Sequence, residues 1–425
     1  MGTILLKAVT LDGKKADILI KGNRIEKIIP WGENGTPTER FGADRVLNCS
    51  GKTAIPGMIN MHCHAAMTMM RGLYEEDPLH EWLKKIWAIE AKLDNETVYW
   101  GTKLAILEMI RTGTTCFLDM YWKAHQACIA AEEMGIRAFL TYNFLDNFNE
   151  ETAEQQKAGC RKLYEASKKW NSRVKMGISV HADYTTSETV LKWSYDFAKE
   201  HGMVFTGHIG ETLHETQDDI TKYGMTPVEH FNQLGILGNM VVAHGVWLNN
   251  HDIELLAKNN ATVVHNINSN LKLASGYKFK YNELRDAGVN VCAGTDGASS
   301  SNNLDLRESL KTAAFLQKAW REDPKALPLD ELMAMATVNG AKALGIEAGR
   351  IEEGALADIV LVNSRDEAFI PSFNFTSSFI FTANSSCIDT VLCDGKIIME
   401  NRKVPGEDEI LEKADELAWK LIKIW

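Results

Sequence analysis

Two histidines separated by one residue, His62 and His64 in MINMHCH, open the chemistry of this 425-residue chain. Side chains on a strand alternate faces with a period of two, so both imidazoles project to one side and can reach one ion, while Cys63 between them turns away. His208 in GHIGE and Asp296 in GTDG stand at the ends of other apolar runs. An isolated H-x-H pair is a weak sign of a metal. Joined by a third imidazole and a carboxylate at matching strand ends, it becomes a strong one. One divalent ion held by His62, His64, His208 and Asp296 is therefore expected, with zinc favoured and iron or manganese admitted by the donor types.

Glu211 follows His208 by three residues, on the loop beyond the run, where a carboxylate can shuttle protons; a solvated loop glutamate is the alternative. His244 ends a further run, where a non-ligand imidazole can orient water or polarise a substrate, against the alternative of a satisfied core histidine.

The elements that must position these residues lie between about residues 56 and 349. There, eight apolar runs (AIPGMINMHCH, TTCFLDMY, RAFLTYNFLD, VKMGISVHADY, MVFTGHIGE, MVVAHGVW, ATVVHNINSN and VNVCAGTDG) alternate with amphipathic segments such as SETVLKWSYDFAKEHG. This alternation is that of strands and helices in an α/β protein, and eight units suit a (β/α)8 TIM barrel. Every strand of such a barrel opens onto one face. That common face explains why His62, His64, His181, His208, His244 and His265 all fall at the ends of runs.

Both chain ends are rich in short strands, with turn signals at Gly22-Asn23 and Asp394-Gly395. The economical arrangement is one small β-sandwich domain built from both ends. The expected division is residues 1–56 for its N-terminal part, 57–349 for the barrel, 350–405 for its C-terminal part and 406–425 for a surface helix.

A net charge of -11 argues against nucleic acid or an anionic membrane as the main partner. With no long uncharged apolar stretch and eight scattered cysteines without a C-x-x-C pair, the chain reads as cytoplasmic with reduced thiols. A small molecule is the expected partner, and self-association stays open.

The phrases PGMINMHCH, EMIRTGTT, GHIGET, HNINSNLKLASG, GTDGASSSNN and ATVNGAKALG resemble those of amidohydrolase-superfamily deaminases, in the group that includes methylthioadenosine/S-adenosylhomocysteine and 5'-deoxyadenosine deaminases. The resemblance spans nearly the whole chain. It implies a mononuclear site, in keeping with His181 rather than a lysine at the end of the fourth run, with Glu211, His244 and Asp296 as the catalytic groups. It further implies that Glu90 binds ribose hydroxyls and that His181 and Ser300 contact the nucleoside. The reaction implied is attack of hydroxide on C6 of an adenine ring, with Asp296 accepting a proton, Glu211 protonating N1 and the inosine analogue and ammonia as products. A helix-surface charge, a strand cap and a turn former are the respective alternatives for Glu90, His181 and Ser300. Trp82 and Trp87 read either as a substrate lid or as helix packing; Trp82 joins the substrate-binding set on the first reading.

An amino-acid tail on the substrate calls for a paired arginine. The stretch TYNFLDNFNEETAEQQKAGCRKLYE is acidic and aromatic, with Arg161 arriving late, so a smaller or uncharged 5' group is favoured, with Tyr142, Phe144 and Phe148 as an apolar wall. A free base, pterin or triazine on the same site is the second reading. A non-catalytic barrel is remote, because ligands, acid and His244 are all present.

Overall fold

The computed structural model describes residues 2–32 and 42–423. Its central element is a parallel barrel. Strands β6 (Met58–Cys63), β7 (Thr114–Asp119), β8 (Arg137–Phe144), β9 (Val174–Val180), β10 (Phe205–Ile209), β11 (Val241–His244), β12 (Thr262–His265) and β13 (Asn290–Ala293) neighbour one another in chain order. Each lies within one of the eight apolar runs. These strands are covered on both sides, which is why they read as runs of apolar residues rather than alternations.

The first and eighth strands meet through polar atoms. Asn60 Nδ2 donates to Thr295 Oγ1 at 2.7 Å, and the Thr295 amide donates to Asn60 Oδ1 at 3.1 Å. The amides of Thr295 and Asp296 also converge on the His62 carbonyl, at 3.2 and 3.0 Å. Closure of the barrel thus brings Asp296 onto the strand that carries His62, with His64 just past its end.

The first seven helices in chain order are α1 (Leu79–Glu90), α2 (Asn95–Arg111), α3 (Ala124–Met134), α4 (Glu150–Ser167), α5 (Glu188–Glu200), α6 (Leu213–Tyr223) and α7 (Pro227–Gln233). Their ends follow from local chemistry. The Asp94 side chain accepts the Thr97 amide at the start of α2, and both α6 and α7 begin with reciprocal Thr/Glu capping boxes.

Strands from both chain ends form one connected sheet ordered β16 (Lys396–Met399), β15 (Ile388–Cys393), β14 (Ile359–Asn363), β5 (Lys52–Pro56), β1 (Thr3–Leu11), β2 (Lys14–Lys21), β3 (Arg24–Pro30), with β4 (Arg45–Asn48) beside β1. The junction is the antiparallel pair β5 and β14, where Pro56 faces Ile359. Leu6, Ile18, Ile20, Ile359 and Leu392 pack into a core of their own. Asp394 (φ 51°) and Gly395 (φ 71°) turn β15 into β16 with the two positive φ angles of a tight hairpin. In the segment before β14, Gly354 and its neighbours follow an irregular path against β3, and the strand itself begins at Ile359.

A buried ion pair joins this sheet to the barrel. Arg137 Nε reaches Asp358 Oδ2 at 3.0 Å, and its Nη2 reaches Asp394 Oδ1 at 3.1 Å. The helix Glu407–Lys423 turns Ile410, Ala414 and Leu421 inward and lies against α2. All eight cysteines are buried free thiols.

Candidate metal centre and its cavity

The strand ends bring His62, His64, His208 and Asp296 together. Nε2 of His64 stands 3.1 Å from Asp296 Oδ1, Nε2 of His62 stands 3.5 Å from it, and the Nε2 atoms of His62 and His208 face each other at 3.3 Å. Ligand atoms bonded at about 2.05 Å to a tetrahedral ion lie roughly 3.3 Å apart, so this spacing fits a shared cation.

The outer ring atoms fix which nitrogen is free. Nδ1 of His64 donates to the Met120 carbonyl at 2.6 Å, and Nδ1 of His208 donates to the His181 carbonyl at 2.8 Å, which turns Nε2 of each ring to the centre. Burial lowers His62 to about 4, which keeps that ring neutral and able to ligate. Burial would lower His64 as well, but the Asp296 carboxylate overrides it and holds the ring at about 9. The carboxylate therefore draws positive charge to the point where the donors converge. The donor set fits one divalent ion.

Asp296 is itself held. Ser269 Oγ and Ser300 Oγ both donate to its Oδ2, at 2.5 and 2.9 Å. Its backbone sits at φ 62°, and that of His244 at φ 77°, conformations that cost of order 1–3 kcal/mol outside glycine. Such backbone strain concentrates where a side chain must be aimed.

Glu211 and His244 stand beside the centre, with Glu211 Oε2 3.7 Å from His244 Nε2. His62, His208 and His244 also offer ring nitrogens within 4.8 Å of one another, so His244 lies at the edge of the donor cluster. Its Nδ1 contacts Asn270 Oδ1 at 2.8 Å. Burial raises the Glu211 carboxyl above the ordinary glutamate range, with His244 opposing it. The Glu211 amide is pinned by Glu215, whose carboxylate accepts it at 2.8 Å and the Gly210 amide at 2.7 Å.

These groups open into a cavity of about 590 Å³, measured with its open mouth, that also meets Trp82, Trp87, Glu90, Tyr121, His181 and Ser300. Glu90 is the last residue of α1 and is buried, with its Oε1 lacking a hydrogen-bond partner, so it is not a helix-surface charge. Burial raises its carboxyl, with the neighbouring Tyr121, His64 and Trp122 side chains opposing the shift. His181, lowered to about 3 by burial, is neutral. The Thr185 hydroxyl donates to the Ala182 carbonyl and so accepts from His181 Nδ1 at 2.9 Å, which makes Nε2 of His181 an acceptor. Ser300 reaches both the cavity and Asp296. Trp82 is buried at the cavity wall and its indole Nε1 has no partner.

A second chamber of about 1860 Å³, measured with its open mouth, shares Trp87, Glu90, Tyr121, Trp122 and Asn143 with the first. Tyr142, Leu145 and Leu163 line it, with Lys123 and Lys162 as its cations. Phe144 is instead buried against Trp193, and Phe148 is 52% exposed, so neither belongs to the apolar wall expected of them. Arg161 lies over the Trp193 ring at 5.0 Å and lines neither chamber.

The model of the amidohydrolase family matches residues 53–398. The chain belongs to the amidohydrolase family. Among its amidohydrolase relatives, the 5'-deoxyadenosine deaminase of Methanoregula boonei is 41% identical over 90% of this chain and 88% of its own length. The 5-methylthioadenosine/S-adenosylhomocysteine deaminase of Thermococcus sibiricus is 42% identical over 91% of this chain and 90% of its own. A crystal structure of an adenosine deaminase from Xanthomonas campestris with bound zinc superposes with a TM-score of 0.92 at 28% identity, covering 99% and 98% of the two chains.

Within this amidohydrolase barrel, sequence reasoning passed over Ser269, Asn270 and Glu215. Signals existed for all three. Ser269 and Asn270 belong to the polar run HNINSN at a strand end, and Thr212-Leu213-His214-Glu215 has the spacing of a capping box.

Proposed function

We propose that this amidohydrolase is a metal-dependent deaminase that hydrolyses the C6 amino group of an adenosine derivative, releasing ammonia and the inosine analogue. The observation that carries the reading is the convergence of three imidazoles and Asp296 at 3.1–3.5 Å, with Glu211 and His244 facing the same cavity and Glu90 buried in its wall. His62, His64, His208 and Asp296 would hold the ion. Zinc suits this set and is the ion in the Xanthomonas structure. A bound divalent ion supplies Lewis acidity that brings the ionisation of water down toward about pH 7.

The chain's own groups do the rest. Asp296 accepts a proton from the attacking water, and His244 steadies the attacking oxygen, its ring fixed through Asn270. Glu211, favoured in its protonated form by burial, gives a proton to N1 and then assists the departure of ammonia. Glu90 accepts from ribose hydroxyls, and Nε2 of His181 accepts a donor on the nucleoside.

The 5' group points toward the second chamber. Among the described residues no arginine lines either chamber, and the cations there are Lys123 and Lys162, which offer no bidentate fork to a carboxylate; a small or uncharged group such as that of methylthioadenosine or 5'-deoxyadenosine is favoured over an amino-acid tail. Ammonia release from a panel of 5'-substituted adenosines, guanine and a pterin tests the reading. The expected result is turnover of methylthioadenosine or 5'-deoxyadenosine ahead of S-adenosylhomocysteine. Turnover of guanine or the pterin alone contradicts it.

A further inference from the structure

A second buried cluster stands apart from the four proposed ligands. Asp183 follows the end of β9, Asp219 lies on α6 and His230 on α7. Their exposures are 1%, 3% and 3%, and one ligand atom from each falls within 4.8 Å of the others. His230 Nδ1 and Asp183 Oδ2 are hydrogen-bonded at 3.0 Å, a separation near the roughly 3.3 Å between donors on one tetrahedral ion.

Two carboxylate oxygens in this cluster, Asp183 Oδ1 and Asp219 Oδ2, have no hydrogen-bond partner, while His230 Nε2, on the far side of the ring from Asp183, faces only Glu188 at 3.5 Å. The Asp219 carboxyl instead meets that of Asp183, with the Glu215 carboxyl nearby; burial first, then Asp183 and Glu215, raise the Asp219 carboxyl, with Lys222 opposing them. Among the described residues, neither Asp183 nor Asp219 forms an ion pair with a lysine or arginine, and the Lys222 ammonium lies over the rings of Phe148 and Tyr223. Two facing buried carboxylates require positive charge between them. A single shared proton serves one oxygen pair, whereas a divalent cation neutralises both groups and satisfies their unpartnered oxygens together.

We infer that Asp183, Asp219 and His230 form a second divalent-cation site, suited by its one-nitrogen, two-carboxylate donor set to Zn2+ or Mn2+. Glu188, 52% exposed and 3.5 Å from His230 Nε2, marks the edge through which the ion exchanges with solvent. The ion ties the loop after β9 to α6 and α7. Since α6 also carries Glu215, which pins the Glu211 amide, occupancy steadies the loop that presents Glu211.

The site is tested by counting metal, independently of any deaminase activity. Full-length wild-type protein and Asp219→Asn are stripped with a chelator, dialysed against excess Mn2+ and analysed for ions per chain. The site predicts that the variant holds one equivalent fewer than the wild type, and that Mn2+ raises the melting temperature of the wild type by more than that of the variant. Equal metal content in the two proteins overturns it. Should Asp219→Asn not fold, anomalous scattering from wild-type crystals grown with Mn2+ decides: a peak among the three side chains supports the site, and none there overturns it.

Discussion

His244 Nδ1 lies 2.8 Å from Asn270 Oδ1, and this one contact sets the direction in which the opposite ring nitrogen faces Glu211 at 3.7 Å. Removing it tests whether His244 acts through its orientation. Partners that orient catalytic or ligating rings are typically worth 10–100-fold. Asn270→Ala should therefore lower kcat by about tenfold or more, with KM and metal content close to wild type. A loss confined to KM would assign Asn270 to substrate binding instead.

Ser269 and Ser300 both donate to the Oδ2 of Asp296. Without them the carboxylate keeps its charge but loses its aim. The Ser269→Ala, Ser300→Ala double variant should bind zinc about 10–100-fold more weakly in a competition titration with a chelator. Unchanged affinity would mean that the backbone at φ 62° aims Asp296 unaided.

The Glu90 carboxyl is raised by burial, so it takes up a proton at a higher pH than an ordinary glutamate. Only the anion offers its full set of acceptor sites to ribose hydroxyls. As pH falls through this raised value KM should climb, starting above the usual glutamate range, while kcat changes less. Glu90→Gln should show a high KM that no longer depends on pH over that range.

Arg137 and Asp358 are both buried, and together they join the barrel to the end sheet. Deleting one partner strands the other. Arg137→Ala should cost about 3–5 kcal/mol in denaturant unfolding. A change below roughly 1 kcal/mol would mean that water reaches Asp358 in the variant.

The barrel was legible because strands covered on both faces, such as VVAH and TVVH, leave apolar runs, and because polar residues at their ends break those runs abruptly. The same abruptness marked His62, His64, His208, His244 and Asp296. What supports them was harder to read. Ser269 and Asn270 act from a short helix after β12, and their reach depends on a chain path that no periodicity encodes. Glu215 looked like an ordinary helix-start glutamate, yet its carboxylate serves the Gly210 and Glu211 amides as well as its own cap. Phe144 failed as a cavity wall because its ring packs against Trp193 of α5, while Tyr142 and Asn143 are the β8 residues that reach the chambers.

The most direct test of the deaminase account compares wild type and Glu211→Gln, each loaded with zinc and checked for equal metal content, on methylthioadenosine. Absorbance follows conversion of the adenine ring, and ammonia is measured in the same samples. The account predicts one ammonia per inosine analogue from the wild type, and a kcat lower by about 10²–10⁴-fold in the variant at unchanged zinc. Comparable turnover by the two proteins would contradict it.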